Sequence, residues 1–191
     1  MSARPRRRNA AARGPRRPTP LLATLVIAVA PACAASSSFT PAHRAAIVDS
    51  VHTTIVAWRD ALNARDFARA GTYYANDTAF RWYEDGKLTY TSAQAIRDTM
   101  KAMAPGLSGF DVTLIDPKIT ALGPGSAIVT AEFTEKITDT TQRTVGFAGA
   151  LSLVVVHADS GWQFLIGHNS SLPPPADTAR KALDRRGGVP R

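Results

Sequence analysis

The residues of this chain that could carry acid–base chemistry are few and scattered. His168, Glu132 and Asp111 are candidates for proton transfer, and Arg81 could hold a negative charge. Such chemistry needs a base near the reacting carbon and hydrogen-bond donors at the developing oxyanion. Each candidate also has an ordinary role, because Arg81 and Glu132 fit the solvent-facing side of a strand and His168 fits a hydrogen-bonding group at a strand end. The ordinary roles are the commoner ones in proteins, so no catalytic residue is predicted.

Other reaction classes find no support in the residue spacing. The four histidines show no metal-ligand pattern: His43, His52, His157 and His168. Cys33 is the only cysteine, which excludes an intrachain disulfide. There is no phosphate-binding glycine loop and no nucleophile elbow. The sequence therefore predicts neither a metal nor a cofactor.

Three helices are predicted in the first half of the domain. Thr40-Pro41 supplies an N-cap hydroxyl and a first-turn proline. Apolar residues then recur at helical spacing at Ile47, Val51, Ile55, Trp58 and Leu62. Asp66 is predicted to cap a shorter helix, and Thr91-Ser92-Ala93-Gln94 to begin a third that runs to about Met103.

Strands are predicted to make up the remainder of the domain. A short strand at 78–83 precedes the hairpin signal Asp85-Gly86, and alternation begins a long strand at Phe110. Three more long strands are predicted at 127–137, 143–157 and 162–169, with Gly146 and Gly149 favouring a bulge or bend. This order predicts an α+β fold, with the helices packed on one face of a curved antiparallel sheet.

Two stretches of the chain resemble a known superfamily. The run from Trp58 through Phe67, continuing from Tyr74 to Trp82, and the closing Gly161–Ser170 are similar to the SnoaL-like and ketosteroid-isomerase branch of the nuclear-transport-factor-two-like superfamily. The resemblance covers roughly residues 44–171. It implies a cone, in which three N-terminal helices and a curved sheet enclose an apolar pocket that is open at one end.

The resemblance also implies where catalytic residues would lie. The isomerases use a tyrosine at the oxyanion, an aspartate that moves the proton and a protonated carboxylic acid. These positions correspond here to Trp58, Trp82 and Leu153, with Ser152 in place of Leu153 if the following turn at Asp159-Ser160-Gly161 differs in length. An indole can only donate a hydrogen bond and leucine offers no polar group, so isomerase chemistry is predicted to be absent. Trp58, Trp82, Leu153 and His168 are instead predicted to bind a ligand.

The two ends of the chain are predicted to lie outside the domain at 40–171. Arginines, an apolar run and small residues give 1–33 the pattern of a secretory leader, and Cys33 resembles a lipoprotein processing site. Residues 34–39 would be a linker, and 172–191 a disordered tail rich in proline and arginine. The chain is thus expected in the periplasm or tethered to a membrane by lipid, although plain cleavage after Ala32 or Ala34 is the alternative.

The formal charge does not indicate nucleic-acid binding. Of the net +8, seven arginines lie within 1–34, and 176–191 holds five basic and two acidic residues. The part between them is slightly acidic, so a basic binding face is not predicted for the domain.

Three functions remain open at this point. The first, which is the function predicted here, is a pocket protein outside the cytoplasm that binds a small apolar molecule without isomerase chemistry. The second is a divergent isomerase, dehydratase or hydrolase that uses His168 with Glu132 or Asp111. The third is a module that dimerises through its exposed sheet face. A dry aromatic cavity favours the first function, and a cluster of titratable groups facing the cavity favours the second. A filled cavity together with an apolar outer face of the sheet favours the third.

Overall fold

The computed structural model describes residues 39–172, which form helices packed on one six-stranded sheet. The helices are α1 (Pro41–Asn63), α2 (Phe67–Gly71) and α3 (Ala93–Met103), with a 3-10 turn at Ala104–Gly106. The strands are β1 (Arg81–Glu84), β2 (Lys87–Tyr90), β3 (Leu107–Gly123), β4 (Ser126–Asp139), β5 (Thr144–Ala158) and β6 (Gly161–Ser171). The predicted α+β class is confirmed.

The predicted helix starts are confirmed by their capping hydrogen bonds. The side chains of Thr40, Asp66 and Ser92 each accept a hydrogen bond from the backbone N–H three residues later. The apolar stripe predicted for α1 is buried along its length. At the end of α1, the Asn63 side chain exchanges two hydrogen bonds with the backbone of Val112 on β3, at 2.7 and 3.0 Å. These bonds hold α1 across the sheet.

The sheet runs in the order β2-β1-β6-β5-β4-β3 and is antiparallel except where β1 lies beside β6. That pair is parallel, with Trp82 opposite Gly167. Parallel neighbours require a long connection, and here the third helix and four strands lie between the two. Turn signals specify only the strands they join, so this one departure from the predicted antiparallel sheet could not be derived from them.

A bulge on β6 alters which side chains of that strand face the core. Trp162 and Phe164 are buried, but the register slips by one residue opposite Val154 and Val155. Beyond the slip, Gly167 faces inward and His168 is exposed. In the sequence, the two-residue spacing of a strand predicts that His168 shares a face with Trp162 and Phe164. This prediction is wrong, because one extra residue reverses the alternation.

The glycines of β5 produce no bulge, since β4 and β5 pair without interruption from Thr144 to Val156. Gly149 meets a different requirement. A Cβ at this position would overlap the backbone oxygen of Ser170 and touch the ring of Phe133. The glycine therefore allows β6 and the Phe133 ring to approach β5 closely.

Several predictions concern residues outside the described range. They are the leader with Cys33, residues 34–38 of the linker and residues 173–191 of the tail. Within 39–172, no helix combines the length and apolar character needed to cross a bilayer.

Candidate functional site

A cavity of about 230 Å³ lies between the helices and the inner face of the sheet. Its walls are mainly apolar and come from nearly every element, including Trp58, Trp82, Met100, Phe110, Phe133 and Leu151. The polar groups that reach it are Tyr74, Glu84, Tyr90, Thr99, Glu135 and Asn169. This composition suits a small molecule that is largely apolar and carries one polar end.

The structure brings together two of the four predicted ligand-binding residues. Trp58 from α1 and Trp82 from β1 both line the cavity. Leu153 lies in the core at 1% exposure and does not line the cavity, whereas Leu151, two residues earlier on the same face of β5, does. His168 lies on the outer face of β6, away from the cavity, because of the bulge.

The residues of the predicted enzyme are not gathered at the cavity. Glu132 and Asp111 are exposed on the face of the sheet opposite to the core-facing side chains beside them. Arg81 donates hydrogen bonds to the backbone oxygens of Thr78 and Phe80, at 3.0 and 2.6 Å, and so holds the turn before β1. The proposal of catalysis by His168 with Glu132 or Asp111 is therefore not supported by their positions.

Two carboxylates that were not among the predicted site residues face the cavity instead. Glu135 follows Phe133 by two residues on β4, and Glu84 follows Trp82 by two on β1. Both are half-buried. The two-residue period of a strand was the signal that could have found them, since each carboxylate shares a face with a buried aromatic residue.

The environment of Glu135 makes its carboxyl harder to ionise than that of an exposed glutamate. Burial, and then the negative charge of Glu84, raise the pKa of the Glu135 carboxyl above its usual range. Among the described residues, no lysine, arginine or histidine lines the cavity to offset these effects. Within residues 39–172 the ion pairs are Arg59–Asp60 and Lys118–Asp116, and neither involves a residue that lines the cavity.

Tyr74 forms the polar centre of the aromatic wall. Its hydroxyl accepts a hydrogen bond from Trp58 Nε1 at 3.2 Å, and its ring meets Trp82 edge-on with centroids 5.3 Å apart. Burial raises the pKa of Tyr74, so the phenol stays protonated at neutral pH. Its hydroxyl hydrogen is not bonded to any other described side chain and can be donated to a ligand oxygen.

Charge coupling between the two carboxylates yields a first prediction. Glu84→Gln should lower the pKa of Glu135, because it removes a negative charge that disfavours ionisation. Carboxyl carbon chemical shifts followed by NMR across a pH titration would measure this shift. Glu132→Gln, on the exposed side of the same strand, is the matched control and should leave the titration of Glu135 unchanged. An unchanged pKa in Glu84→Gln would mean that the two groups do not share the cavity.

The described residues offer no metal centre. Within 39–172, no group of three or more histidine, cysteine, aspartate or glutamate side chains converges on a point where an ion could be held. Glu84 and Glu135 are the two acids among the side chains that line the cavity. The side chains that line the cavity can supply apolar contact, hydrogen bonding and proton transfer.

Comparisons with known proteins agree with this architecture. Residues 51–175 match the model of a family described as a SnoaL-like domain. No curated protein sequence matches the chain. A proposed scytalone dehydratase from Novosphingobium aromaticivorans superposes with a TM-score of 0.64 at 12% identity, covering 70% of this chain and 89% of that one.

Two further solved structures share the fold. A proposed dehydratase of the NTF2-like family from Streptomyces avermitilis gives a TM-score of 0.59 at 14% identity, covering 69% of this chain and 99% of that one. A ketosteroid isomerase-like protein from Erwinia carotovora gives 0.54 at 13% identity, covering 66% and 97%. At these identities the likeness is one of fold.

Proposed function

The chain belongs to the SnoaL-like domain family, and we propose that it binds a small, largely apolar molecule in the cavity between its helices and its sheet. The observation that carries this proposal is the cavity of about 230 Å³ with aromatic and aliphatic walls. Specific ligand sites in proteins commonly have this form, with a few polar groups that orient the ligand.

The size of the cavity allows a useful affinity. Burying ~200 Å² of apolar ligand surface contributes around 5 kcal/mol before the entropy of association is subtracted. Contacts with the polar groups add to this, so affinities near micromolar are reasonable. The isomerase activity of the superfamily is not part of the proposal, because Trp58, Trp82 and Leu153 cannot transfer a proton.

The proposal is tested by binding of a neutral bicyclic aromatic probe, 1-naphthylmethanol. We expect isothermal titration calorimetry to show saturable binding, and the thermal unfolding temperature to rise with probe concentration. Filling the cavity in advance should abolish binding, so Leu151→Trp serves as a variant with a blocked site. The proposal fails if neither 1-naphthylmethanol nor its cationic and anionic analogues produce heat of binding or a thermal shift.

Acid–base catalysis by a different set of residues is a second candidate. The observation that favours it is the pairing, in one cavity, of a carboxyl with a raised pKa and a buried protonated phenol. Glu135 could take a proton from a carbon beside a ketone while Tyr74 donates to the ketone oxygen. NMR measurement of deuterium exchange at that carbon, in wild type and Glu135→Gln, would separate this enzyme from a protein that only binds.

A further inference from the structure

The charge of the cavity is of one sign. Glu84 on β1 and Glu135 on β4 supply two carboxylates from strands toward opposite edges of the sheet. The other polar side chains among the described lining residues are neutral. No side-chain hydrogen bond or ion pair within residues 39–172 involves either carboxylate. No side-chain oxygen in this range is both buried and without a partner, so the oxygens of Glu84 and Glu135 remain accessible. The carboxylate oxygens are therefore open to whatever occupies the cavity.

The aromatic rings of the lining are suited to the same kind of partner. Four hydrogen-bonding aromatics line the same cavity as the carboxylates: Trp58, Tyr74, Trp82 and Tyr90. The faces of such rings carry partial negative charge and attract cations, most strongly when water is excluded. Carboxylates and rings are independent features, and both favour positive charge.

We infer that the cavity selects a lipophilic amine, protonated or quaternary, whose apolar body lies against the aromatic wall and whose cationic group lies near Glu84 and Glu135. This inference rests on the proposed binding function and specifies the class of ligand. The observation that carries it is an apolar cavity whose lining, within residues 39–172, includes two carboxylates without an ion-pair partner and no basic side chain.

Ligands of other charge fit the cavity less well for electrostatic reasons. A neutral apolar molecule would remove water from two carboxylates without replacing the lost hydrogen bonds. An anion would meet two like charges in a region of reduced dielectric constant. A cation reverses both effects, because it pairs with the carboxylates and relieves their mutual repulsion.

The experiment compares three probes that share one ring system. Calorimetric titrations at neutral pH would use 1-naphthylmethylamine, which is protonated, 1-naphthylmethanol, which is neutral, and 1-naphthoate, which is an anion. The amine is expected to bind at least about tenfold more tightly than the alcohol, because a hydrogen bond between charged groups contributes enough free energy for a difference of this size. The naphthoate is expected to bind most weakly.

Substitutions of the carboxylates test the cause of this preference. Glu84→Gln and Glu135→Gln should each reduce the ratio of amine to alcohol affinity, and the double variant should bring it to about one. Glu132→Gln, exposed on the other face of β4, should leave the ratio unchanged. Thermal unfolding of every variant establishes that the domain is folded, and glutamine preserves the size of the side chain.

The outcomes separate this inference from the function on which it rests. If the alcohol binds as tightly as the amine in the wild type, the inference is overturned and the apolar binding function stands. If the amine is preferred but the double variant keeps the preference, the carboxylates are not its cause and the inference is also overturned. If none of the three probes binds, both proposals are overturned.

Discussion

Gly167→Ala is expected to lower stability by about 1–3 kcal/mol or more, the cost of forcing extra volume into a packed core. A Cβ at position 167 would overlap three ring carbons of Trp82, its partner across the parallel β1–β6 pair. The indole has Tyr74 on another side, so it cannot move without disturbing its neighbours. Either the ring moves into the cavity or β1 separates from β6.

Denaturant unfolding of wild type and variant would measure the change, and the melting temperature should fall by roughly 5–10 °C. Titration with 1-naphthylmethanol should show lost binding, because a displaced indole occupies the site. Gly146→Ala is the matched control: the nearest atom to its new Cβ is the Glu135 backbone oxygen at 3.8 Å, an ordinary contact. Equal free energies of unfolding for Gly167→Ala and Gly146→Ala would show that the Trp82 ring does not pack against Gly167.

Trp82→Ala is expected to weaken 1-naphthylmethanol binding by at least about tenfold, since the variant lacks one wall of the cavity. It should also destabilise the domain, because the residue is only 5% exposed. The loss should lie below the ~3–5 kcal/mol typical of a buried aromatic, as part of the indole already faces a void.

Trp162→Ala provides the comparison that separates these effects. Trp162 is buried at 8% exposure against His157 and does not line the cavity. Its removal should destabilise the domain at least as much as Trp82→Ala while leaving probe affinity unchanged. If Trp82→Ala lowers the free energy of unfolding by the full ~3–5 kcal/mol and the molecules that remain folded bind 1-naphthylmethanol normally, Trp82 is a core residue. The proposed site then loses its main wall.

Local patterns were enough to predict most elements of this fold. Helix starts at Thr40, Asp66 and Ser92 depend on a side chain and a backbone N–H three residues away, and the hairpin at Asp85-Gly86 depends on two residues that both adopt positive φ. The buried stripe of α1 follows from a period of 3.6 residues. All of these interactions are complete within a few residues of sequence.

Local sequence patterns could predict only some of the residues that line the cavity. Alternation along β4 and β1 places Glu135 beside Phe133 and Glu84 beside Trp82, so their facing inward was derivable. Glu132 and His168 were candidates because of their residue types, although Glu132 alternates with the buried Ala131 and Phe133 and so lies on the outer face of β4. For His168, strand alternation predicts the wrong face, because the bulge on β6 reverses the alternation after Phe164.

The sequence alone therefore determined the elements, the class of fold and the two tryptophans of the cavity wall. Tertiary structure alone decided that β1 pairs in parallel with β6, that Trp82 packs on Gly167, and that Glu84 and Glu135 share one cavity. The physical reason is the range of the forces involved. Caps and alternation act between near neighbours, whereas curvature, bulges and the meeting of two like charges depend on how strands far apart in sequence pack against one another.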